Sequence, residues 1–177
     1  MDARAVSKRL AYVLRHDPAS VGIVLDEGGW VDVDELLAGL AGHGLRISRE
    51  QLERVVGSSD KARYVISGGR IRAAHGHSVP VDLGLTATPP PDELWHGTAA
   101  GSVGAILATG LQPRSRRLVH LSVDRTTARA VGSRHGRPVV LRVLAGRLAQ
   151  DGAVFYRSTS GVWLTAAVLP EYLEVQR

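Results

Sequence analysis

The chain has 177 residues, 44% of them apolar, which is enough for one domain or two small lobes with their own cores. It has no cysteine, which excludes disulfide frameworks and thiolate metal sites, and no apolar run approaches the ~20 residues of a membrane span. The formal charge is +5, and lysine occurs only at Lys8 and Lys61, so arginine dominates. Arginine binds phosphate through a planar fork, so the composition suits a polyanionic partner, although GC-biased coding gives the same excess. We expect a cytoplasmic protein without membrane contact, and a monomer.

Residues 1–80 are predicted to form a first lobe that begins with three short helices. Asp2, Asp32 and Ser48 stand where helix N-caps are expected, and Gln51 completes a capping box with Ser48. Pro18 ends the first helix. The predicted core positions follow helical spacing, and they are Val6, Leu10, Val13, Leu14, Val33, Leu36, Leu37, Leu40, Leu52, Val55 and Val56.

A β-hairpin is predicted after the third helix. Gly68-Gly69 separates two short β-rich runs, 63–67 and 70–73, and such a pair is typical of a two-residue hairpin turn. Three helices followed by a hairpin is the order of a winged helix. Arg63, Arg70 and Arg72 either follow a nucleic-acid backbone or form an ordinary solvated face.

A proline-rich linker is predicted over residues 81–92, followed by a second lobe over residues 93–177. Its strands are predicted at 119–122, 138–144, 153–156 and 161–165. One helix should bury Val103, Ile106 and Leu107 and end at Gly110, and another, capped by Asp124, should bury Ala128 and Val131. The irregular spacing disfavours alternating βαβ units and indicates an α+β fold, with a mostly β second lobe that carries short helices.

Few of the familiar catalytic motifs occur. The chain lacks a P-loop, a Rossmann glycine motif, an H-E-x-x-H sequence and a G-x-S-x-G elbow, and we expect no metal. His75-Gly76-His77 is interpreted as a surface loop. The stretch 94–98 is either a strand that ends in a turn or a place where Gly97, without a Cβ, lets a flat ligand approach the backbone.

Eight motifs follow one another along the chain. They are SKRLAYVLRHDP (7–18), GGWVDVDELL (28–37), DKARYVI (60–66), IRAAHGHS (71–78), LWHGT (94–98), TGLQPRSRRLVHLS (109–122), VGSRHGRPVVL (131–141) and SGVWLT (160–165). In this order, from Ser7 to Leu173, the chain resembles the NAD-dependent RNA 2′-phosphotransferase family.

The resemblance implies a winged-helix lobe that grips RNA and an ADP-ribosyltransferase-like lobe that binds NAD. In the family's reaction an RNA 2′-phosphate attacks the nicotinamide ribose and expels nicotinamide, which gives an RNA 2′-phospho-ADP-ribose intermediate. The ribose O2″ then attacks phosphorus and releases 2′-OH RNA and ADP-ribose 1″,2″-cyclic phosphate. The implied partners are therefore NAD, consumed as a co-substrate, and 2′-phosphorylated RNA such as tRNA.

The resemblance also implies functional residues. The catalytic tetrad falls on Arg15, His16, Arg63 and Arg134. The NAD-binding positions fall on His96, Gly97, Thr98, Gly110, Arg116, His120, Ser122, Ser160 and Val162. Family members usually have an amide where this chain has Ser160, which puts NAD affinity in question.

The residue types agree with this chemistry. A phosphate dianion needs several cations, and arginine is suited to it. His16 either passes a proton to the departing RNA 2′-oxygen or positions the phosphate. Many protein-modifying ADP-ribosyltransferases have a glutamate where this chain has Val162. Because a 2′-phosphate is already anionic at pH 7, the missing carboxylate favours an anionic acceptor.

Two other functions fit parts of the sequence. One is an ADP-ribosyltransferase that caps 5′-phosphorylated nucleic-acid ends and stops after the first step. The other is a non-catalytic RNA-binding protein, which the intact set of Arg15, His16, Arg63 and Arg134 disfavours. His96 and His120 are either ligand contacts or hydrogen-bonded core residues.

Overall fold

The computed structural model describes residues 2–58 and 62–176 and divides into two compact units, 1–84 and 85–177. The division falls within the stretch predicted as a linker. Asp60 and Lys61 of the motif DKARYVI (60–66) lie outside the described residues. Helices and small antiparallel sheets are mixed in both units, so the coarse α+β prediction is confirmed.

The first unit contains three helices and one three-stranded antiparallel sheet. The helices are α1 (Ala3–Arg15), α2 (Val33–Gly42) and α3 (Arg49–Gly57), and the strands are β1 (Val31–Asp32), β2 (Tyr64–Ser67) and β3 (Arg70–Ala73). The sheet has the order β1-β3-β2. All three predicted caps form, because the side chains of Asp2, Asp32 and Ser48 accept backbone N–H groups of the first helical turns.

The core of the first unit forms where the helical spacing predicted it. Leu10, Leu14, Leu36, Leu40 and Leu52 are fully buried against the strands. The predicted core residues Leu37 and Val56 are only half-buried at its edge.

The hairpin forms with the predicted turn. Gly68 and Gly69 both have positive φ, 55° and 75°, which a two-residue turn of this kind requires. Its two outer arginines have partners inside the unit. Arg70 pairs with Asp26 at 2.8 Å, and the Arg72 guanidinium lies 4.5 Å from the Trp30 ring centroid.

The burial of the segment after β3 contradicts one prediction. The interpretation of residues 75–77 as a surface loop is wrong, because Gly76 and His77 are buried, with His77 only 4% exposed. The segment turns back against the end of α1, which covers it.

The second unit contains two three-stranded antiparallel sheets and three short helices. The strands are β4 (Leu94–Ala99), β5 (Val119–Leu121), β6 (Pro138–Val143), β7 (Phe155–Arg157), β8 (Trp163–Thr165) and β9 (Leu173–Gln176). The sheets have the orders β4-β6-β9 and β5-β8-β7, and a bridge between Trp95 and Ser122 joins β4 to the end of β5. The helices are α4 (Val103–Thr109), α5 (Arg125–Gly132) and α6 (Ala145–Gln150).

Two helix predictions in this unit need correction. Leu107 on α4 is 41% exposed, and Val103 is half-buried, so Ile106 alone of that predicted face is buried. On α5, Ala128 is buried as predicted while Val131 is half-buried. Both helices have only two turns, so each presents a narrow face to the sheets.

Candidate functional site

The end of α1 is held by the segment that follows β3. The carbonyl oxygen of Arg15 accepts hydrogen bonds from the backbone N–H groups of Ser78 at 2.8 Å and Val79 at 3.3 Å. Gly76 has a φ of 88°, a conformation that favours glycine, and a guanidinium nitrogen of Arg15 lies 3.5 Å from where its Cβ would stand. Arg15 and His16 therefore lie on a backbone fixed from two sides.

The Ser78 hydroxyl joins these two predicted catalytic residues. It lies 3.0 Å from Nδ1 of His16 and donates to the carbonyl oxygen of Arg15 at 3.4 Å. A hydroxyl has one proton, so while Ser78 donates to the carbonyl it accepts from Nδ1–H of His16. This pair of bonds favours the tautomer in which Nδ1 carries the hydrogen and Nε2 carries the lone pair.

Arg63, which precedes β2, contacts α1 nearer to the beginning of that helix. Its guanidinium donates to the hydroxyl of Ser7 at 3.5 Å, and its carbonyl oxygen accepts the N–H of Ala74 at 2.9 Å. Ser7 is about two turns before Arg15 on α1. Arg15, His16 and Arg63 thus belong to the first unit, with α1 common to all three. Arg134 belongs to the second unit, and its grouping with them stays a prediction.

The reason for a glycine at position 97 differs from the one expected. Strand β4 does not end in a turn there but continues to Ala99, and Gly97 pairs with Val140 of β6. The carbonyl oxygen of Ala128 on α5 occupies the place of the missing Cβ. The bare backbone therefore admits a helix on the side to which a Cβ would point. A ligand contact of Gly97 stays a prediction.

Close packing of α5 on β4 also fixes the position of Arg134. A Cβ on Gly132 would lie 2.8 Å from the carbonyl oxygen and 2.9 Å from the nitrogen of Thr98, so the last turn of α5 touches the β4 backbone. The chain then bends, with the N–H of Arg134 donating to Val131 at 3.2 Å. Arg134 is an exposed residue directly beyond this contact.

His96 lies on β4 next to this contact. Its Nδ1–H donates to the carbonyl oxygen of His120 at 3.2 Å. Burial lowers the pKa of His96, the hydrogen bond to His120 opposes that shift, and the charges of Arg116 and Arg114 lower it further. A lowered pKa keeps the ring neutral at pH 7, so Nε2 carries a lone pair.

Several cations lie within electrostatic range of one another around His96. Desolvation and then the charge of Arg134 lower the pKa of Arg116, although the residue as a whole is exposed. Within residues 2–58 and 62–176, neither Arg116 nor Arg134 forms an ion pair with a carboxylate. Mutually repelling guanidiniums without an acidic partner form a positive region that an anion would stabilise.

The turn between β7 and β8 brings two serine hydroxyls together. Ser158 is 4% exposed, and its Oγ accepts the N–H of Val162 at 3.1 Å and lies 2.9 Å from Oγ of Ser160. Ser160 and Val162, both predicted to bind NAD, are thus fixed by a buried hydroxyl. No role was predicted for Ser158, and its sequence signal is only a serine two residues before the SGVWLT motif.

The other predicted NAD positions have structural partners as well. Gly110 ends α4 with a φ of 81°, and the carbonyl oxygen of Val168 occupies its Cβ position. Nδ1–H of His120 donates to the carbonyl oxygen of Leu118 at 3.0 Å. Ser122 exchanges two backbone hydrogen bonds with Trp95, at 2.7 and 2.9 Å.

Two further residues contribute to this geometry. Ser78 had no predicted role, and the sequence left Arg114 either as a contact of the NAD pyrophosphate or RNA or as a solvated side chain. Ser78 binds His16, although the motif IRAAHGHS contained it without an indication of a partner. Arg114, with a positive φ of 54°, contributes its charge to the surroundings of His96. Neither relationship is visible in spacing, because each depends on how the chain folds back.

A sequence profile of the RNA 2′-phosphotransferase, Tpt1 / KptA family matches residues 2–167. The chain belongs to this family. The match includes every residue that we assigned to the tetrad and to NAD, and the resemblance inferred from the eight motifs is confirmed. RNA 2′-phosphotransferases are transferases, and this chain is one of them by sequence.

Curated relatives with the same name align with this chain over nearly their whole length. A protein of Agrobacterium fabrum, named "Probable RNA 2′-phosphotransferase", is 54% identical over 173 residues, which cover 97% of this chain and 93% of the relative. Proteins of the same name from Hahella chejuensis and Streptomyces coelicolor are each 51% identical. The first alignment covers 97% of this chain and 94% of the relative, and the second covers 95% and 92%.

The described residues contain neither a membrane-spanning helix nor a cluster of metal-ligating side chains. Among residues 2–58 and 62–176, no helix has the length and apolar character needed to cross a membrane. In those same ranges, no group of three or more histidine, aspartate or glutamate side chains could hold a metal ion.

Proposed function

We propose that this family member removes an internal 2′-phosphate from RNA with NAD as the second substrate. A 2′-phosphate oxygen forms a bond to the ribose carbon that bears nicotinamide, and nicotinamide leaves with the bonding electron pair. The ribose O2″ of the resulting RNA 2′-phospho-ADP-ribose then bonds to phosphorus. The RNA 2′-oxygen departs and takes up a proton, which gives 2′-OH RNA and ADP-ribose 1″,2″-cyclic phosphate.

The observation that carries the proposal is the cluster of cations around His96 in the second unit. Arg116 lies in the field of Arg134, and both Arg114 and Arg116 act on His96. The negative charge of a dinucleotide pyrophosphate, or of a phosphate that is being transferred, would neutralise such a positive cluster. The hydroxyls of Thr98 and Ser160 supply neutral hydrogen-bonding groups, so this set of residues fits NAD.

The architecture of each unit supports the finer fold assignment. We assign the first unit to the winged-helix class, because three capped helices precede an antiparallel hairpin. We assign the second unit to the ADP-ribosyltransferase class, because two three-stranded sheets adjoin through the bridge between Trp95 and Ser122. In this assignment RNA binds to the first unit and NAD to the second.

In this proposal Arg15, Arg63 and Arg134 bind the 2′-phosphate through their guanidiniums. Charge accumulates on the phosphoryl oxygens in the second step, and fixed guanidiniums stabilise that charge without reorganisation. His16 faces the substrate with Nε2, because its Nδ1–H is bound to Ser78. The ribose O2″ loses its proton as it bonds to phosphorus. Nε2 of His16, protonated at that point, donates a proton to the departing 2′-oxygen.

The first step needs no general base in this scheme. Val162 stands where related enzymes that modify hydroxyls carry a glutamate, and its N–H is bound to Ser158 rather than being directed at a substrate. A phosphate monoester has a second pKa of about 6, so it is already a nucleophile at pH 7. A neutral hydroxyl acceptor would lack the carboxylate that activates it.

The experiment incubates the full chain with NAD and an internally 2′-phosphorylated oligonucleotide, and it resolves the products by chromatography. Release of ADP-ribose cyclic phosphate and 2′-OH RNA is expected. The same assay with a 5′-phosphorylated oligonucleotide tests the capping alternative, for which a stable ADP-ribosylated end is the only product. Absence of reaction on both substrates would leave only the binding-protein alternative.

Substitution of Arg63 tests the assignment of the second step. In Arg63→Ala we expect RNA 2′-phospho-ADP-ribose to accumulate, because the phosphoryl charge loses a guanidinium while the first step proceeds. Arg46→Ala is the matched control, since Arg46 is an exposed arginine of the same unit outside the site. Turnover of Arg63→Ala at the wild-type rate would remove Arg63 from the site.

A further inference from the structure

Four side chains form an exposed row along α1. Arg4, Lys8 and Tyr12 follow one another at intervals of four residues, and His16 continues the row at the helix cap. All four residues are exposed. Residues four apart are neighbours on a helix surface, so the row extends over about 18 Å and turns by about 120° around the helix axis. That length corresponds to about five stacked nucleotide steps of ~3.4 Å along one strand.

Tyr12 lies between the cations and His16 and presents an aromatic ring to solvent. The residue is 45% exposed, its hydroxyl donates to Asp17 at 3.2 Å, and its ring centroid lies 6.2 Å from that of His16. The Arg9 guanidinium lies 5.7 Å from the ring centroid. The ring is thus oriented by a hydrogen bond at its hydroxyl and by Arg9 over one face, and the core does not cover it.

The two cations at the beginning of this row are not in ion pairs with any described residue. Among residues 2–58 and 62–176, neither Arg4 nor Lys8 forms an ion pair with a carboxylate, and α1 itself contains no acidic residue. The hairpin is different, because Arg70 is paired with Asp26 and Arg72 donates to the carbonyl oxygen of Gly28 at 3.1 Å. Arg4 and Lys8 are therefore the better match for a polyanion.

We propose that this row binds the single-stranded RNA that flanks the 2′-phosphorylated nucleotide. Tyr12 stacks on the base next to the reacting phosphate, and Lys8 and Arg4 contact successive backbone phosphates further along the strand. Aromatic stacking next to cationic side chains is how proteins bind single strands without reading sequence. The inference rests on the proposed function, because it takes His16 as the end of the row at which the 2′-phosphate reacts.

An RNA strand accounts for the row better than an acidic protein segment does. Cations alone would serve for carboxylates, whereas a solvent-exposed ring next to the predicted catalytic histidine has a direct use in stacking on a base. An acidic peptide is nevertheless a distinct outcome of the test below.

The test compares a 2′-phosphorylated octanucleotide with a 2′-phosphorylated dinucleotide, both fluorescently labelled, in anisotropy titrations without NAD and in turnover with NAD. Tyr12→Ala should weaken octanucleotide binding about tenfold, and Tyr12→Phe, which keeps the ring, should lose less. Lys8→Ala should lower the slope of log Kd against log salt concentration by about 0.7. For Lys8→Ala the loss should be larger on the octanucleotide than on the dinucleotide, because only the longer RNA reaches Lys8. Tyr12→Ala should lose affinity for both RNAs, because both have the base next to the reacting phosphate.

Arg46→Ala is the matched control, as an exposed cation of the same unit outside the row. An equal loss of Lys8→Ala on the two RNAs, no loss of affinity in Tyr12→Ala, or an equal loss in Arg46→Ala would overturn the inference. Competition by a polyglutamate peptide as effective as that by the octanucleotide would also overturn it. The proposed function fails separately, if the wild-type chain turns over neither RNA, and in that case the binding titrations still decide whether the row holds RNA.

Discussion

The carbonyl oxygen of Ala128 occupies the position that a Cβ atom on Gly97 would take. Strand β4 and helix α5 can therefore meet backbone to backbone, and Gly132 extends the contact to Thr98. His96 precedes Gly97 in the strand, and Arg134 follows the helix. One close approach thus fixes the positions of two residues assigned to the site.

Gly97→Ala should destabilise the second unit by about 3 kcal/mol or more. A methyl group cannot be accommodated against a backbone carbonyl without moving α5 away from the sheet, and well-packed elements resist such a shift. The free energy of unfolding, measured by urea denaturation with circular dichroism, checks this prediction.

Gly104→Ala is the matched control for this prediction. Gly104 lies on α4, has no atom within 4 Å of its Cβ position and does not have a positive φ. Alanine has the higher helix propensity, so this variant should be unchanged or up to about 1 kcal/mol more stable. Equal stability of the two variants would contradict the close approach of α5 to β4.

Ser78→Ala should reduce turnover by removing the hydroxyl that holds Nδ1–H of His16. Because the ring then loses its preferred tautomer and orientation, we expect kcat to fall by about tenfold or more while KM for NAD changes little. Nitrogen NMR shifts of the His16 ring report the tautomer directly and should show Nε2–H becoming populated.

Two further serine variants keep this prediction specific. Ser78→Thr retains a hydroxyl and should recover much of the lost activity. Ser67→Ala removes an exposed hydroxyl on the hairpin of the same unit and should behave as wild type. A full loss in Ser78→Ala with an unchanged His16 tautomer would assign Ser78 a purely structural role.

Stability should fall with acidification through the titration of His96. Burial lowers its pKa in the folded state, assisted by Arg116 and Arg114, whereas the unfolded histidine titrates near ~6.5. Below that pH the unfolded chain binds a proton that the folded chain does not, so stability decreases until the folded pKa is reached. Above pH ~6.5, His96 is neutral in both states and contributes nothing to the pH dependence of the free energy of unfolding.

His96→Asn keeps a donor for the carbonyl oxygen of His120 and removes the titration. We therefore expect a shallower decrease in the free energy of unfolding between pH 7.5 and pH 5.5 than in wild type, measured by urea denaturation at each pH. His43→Asn controls for the loss of a histidine that donates to a backbone carbonyl, that of Gly39 at 2.9 Å. An unchanged slope in His96→Asn would contradict the lowered pKa.

Arg72→Ala should destabilise the first unit by about 1–3 kcal/mol. Its guanidinium lies over Trp30 and donates to the carbonyl oxygens of Gly28 and Leu83, at 3.1 and 3.4 Å. Arg70→Ala should cost less, because its ion pair with Asp26 is exposed. Thermal and urea denaturation check the order of the two effects.

The same two variants test the hairpin as an RNA contact. If both arginines act only within the unit, the salt dependence of octanucleotide binding should match that of wild type in each variant. A slope lowered by about 0.7 in Arg70→Ala or Arg72→Ala would return the hairpin to the RNA interface.

The sequence by itself determined the local structure and the family. Helix caps at Asp2, Asp32 and Ser48, the hairpin turn at Gly68-Gly69 and the helical spacing of the first core depend on interactions within a few residues, and such interactions can be read along the chain. The eight ordered motifs likewise needed no coordinates, because a family signature is a property of sequence order.

Only the tertiary structure showed which distant contacts particular side chains make. Gly97 meets Ala128 from 31 positions away, His16 meets Ser78 across 62 positions, and Arg72 packs on Trp30 rather than facing solvent. His77 is buried because the chain folds back on the end of α1, which no local pattern indicates. Contacts between distant residues depend on how elements pack, and packing is set by the three-dimensional fit of whole faces rather than by the identity of single neighbours.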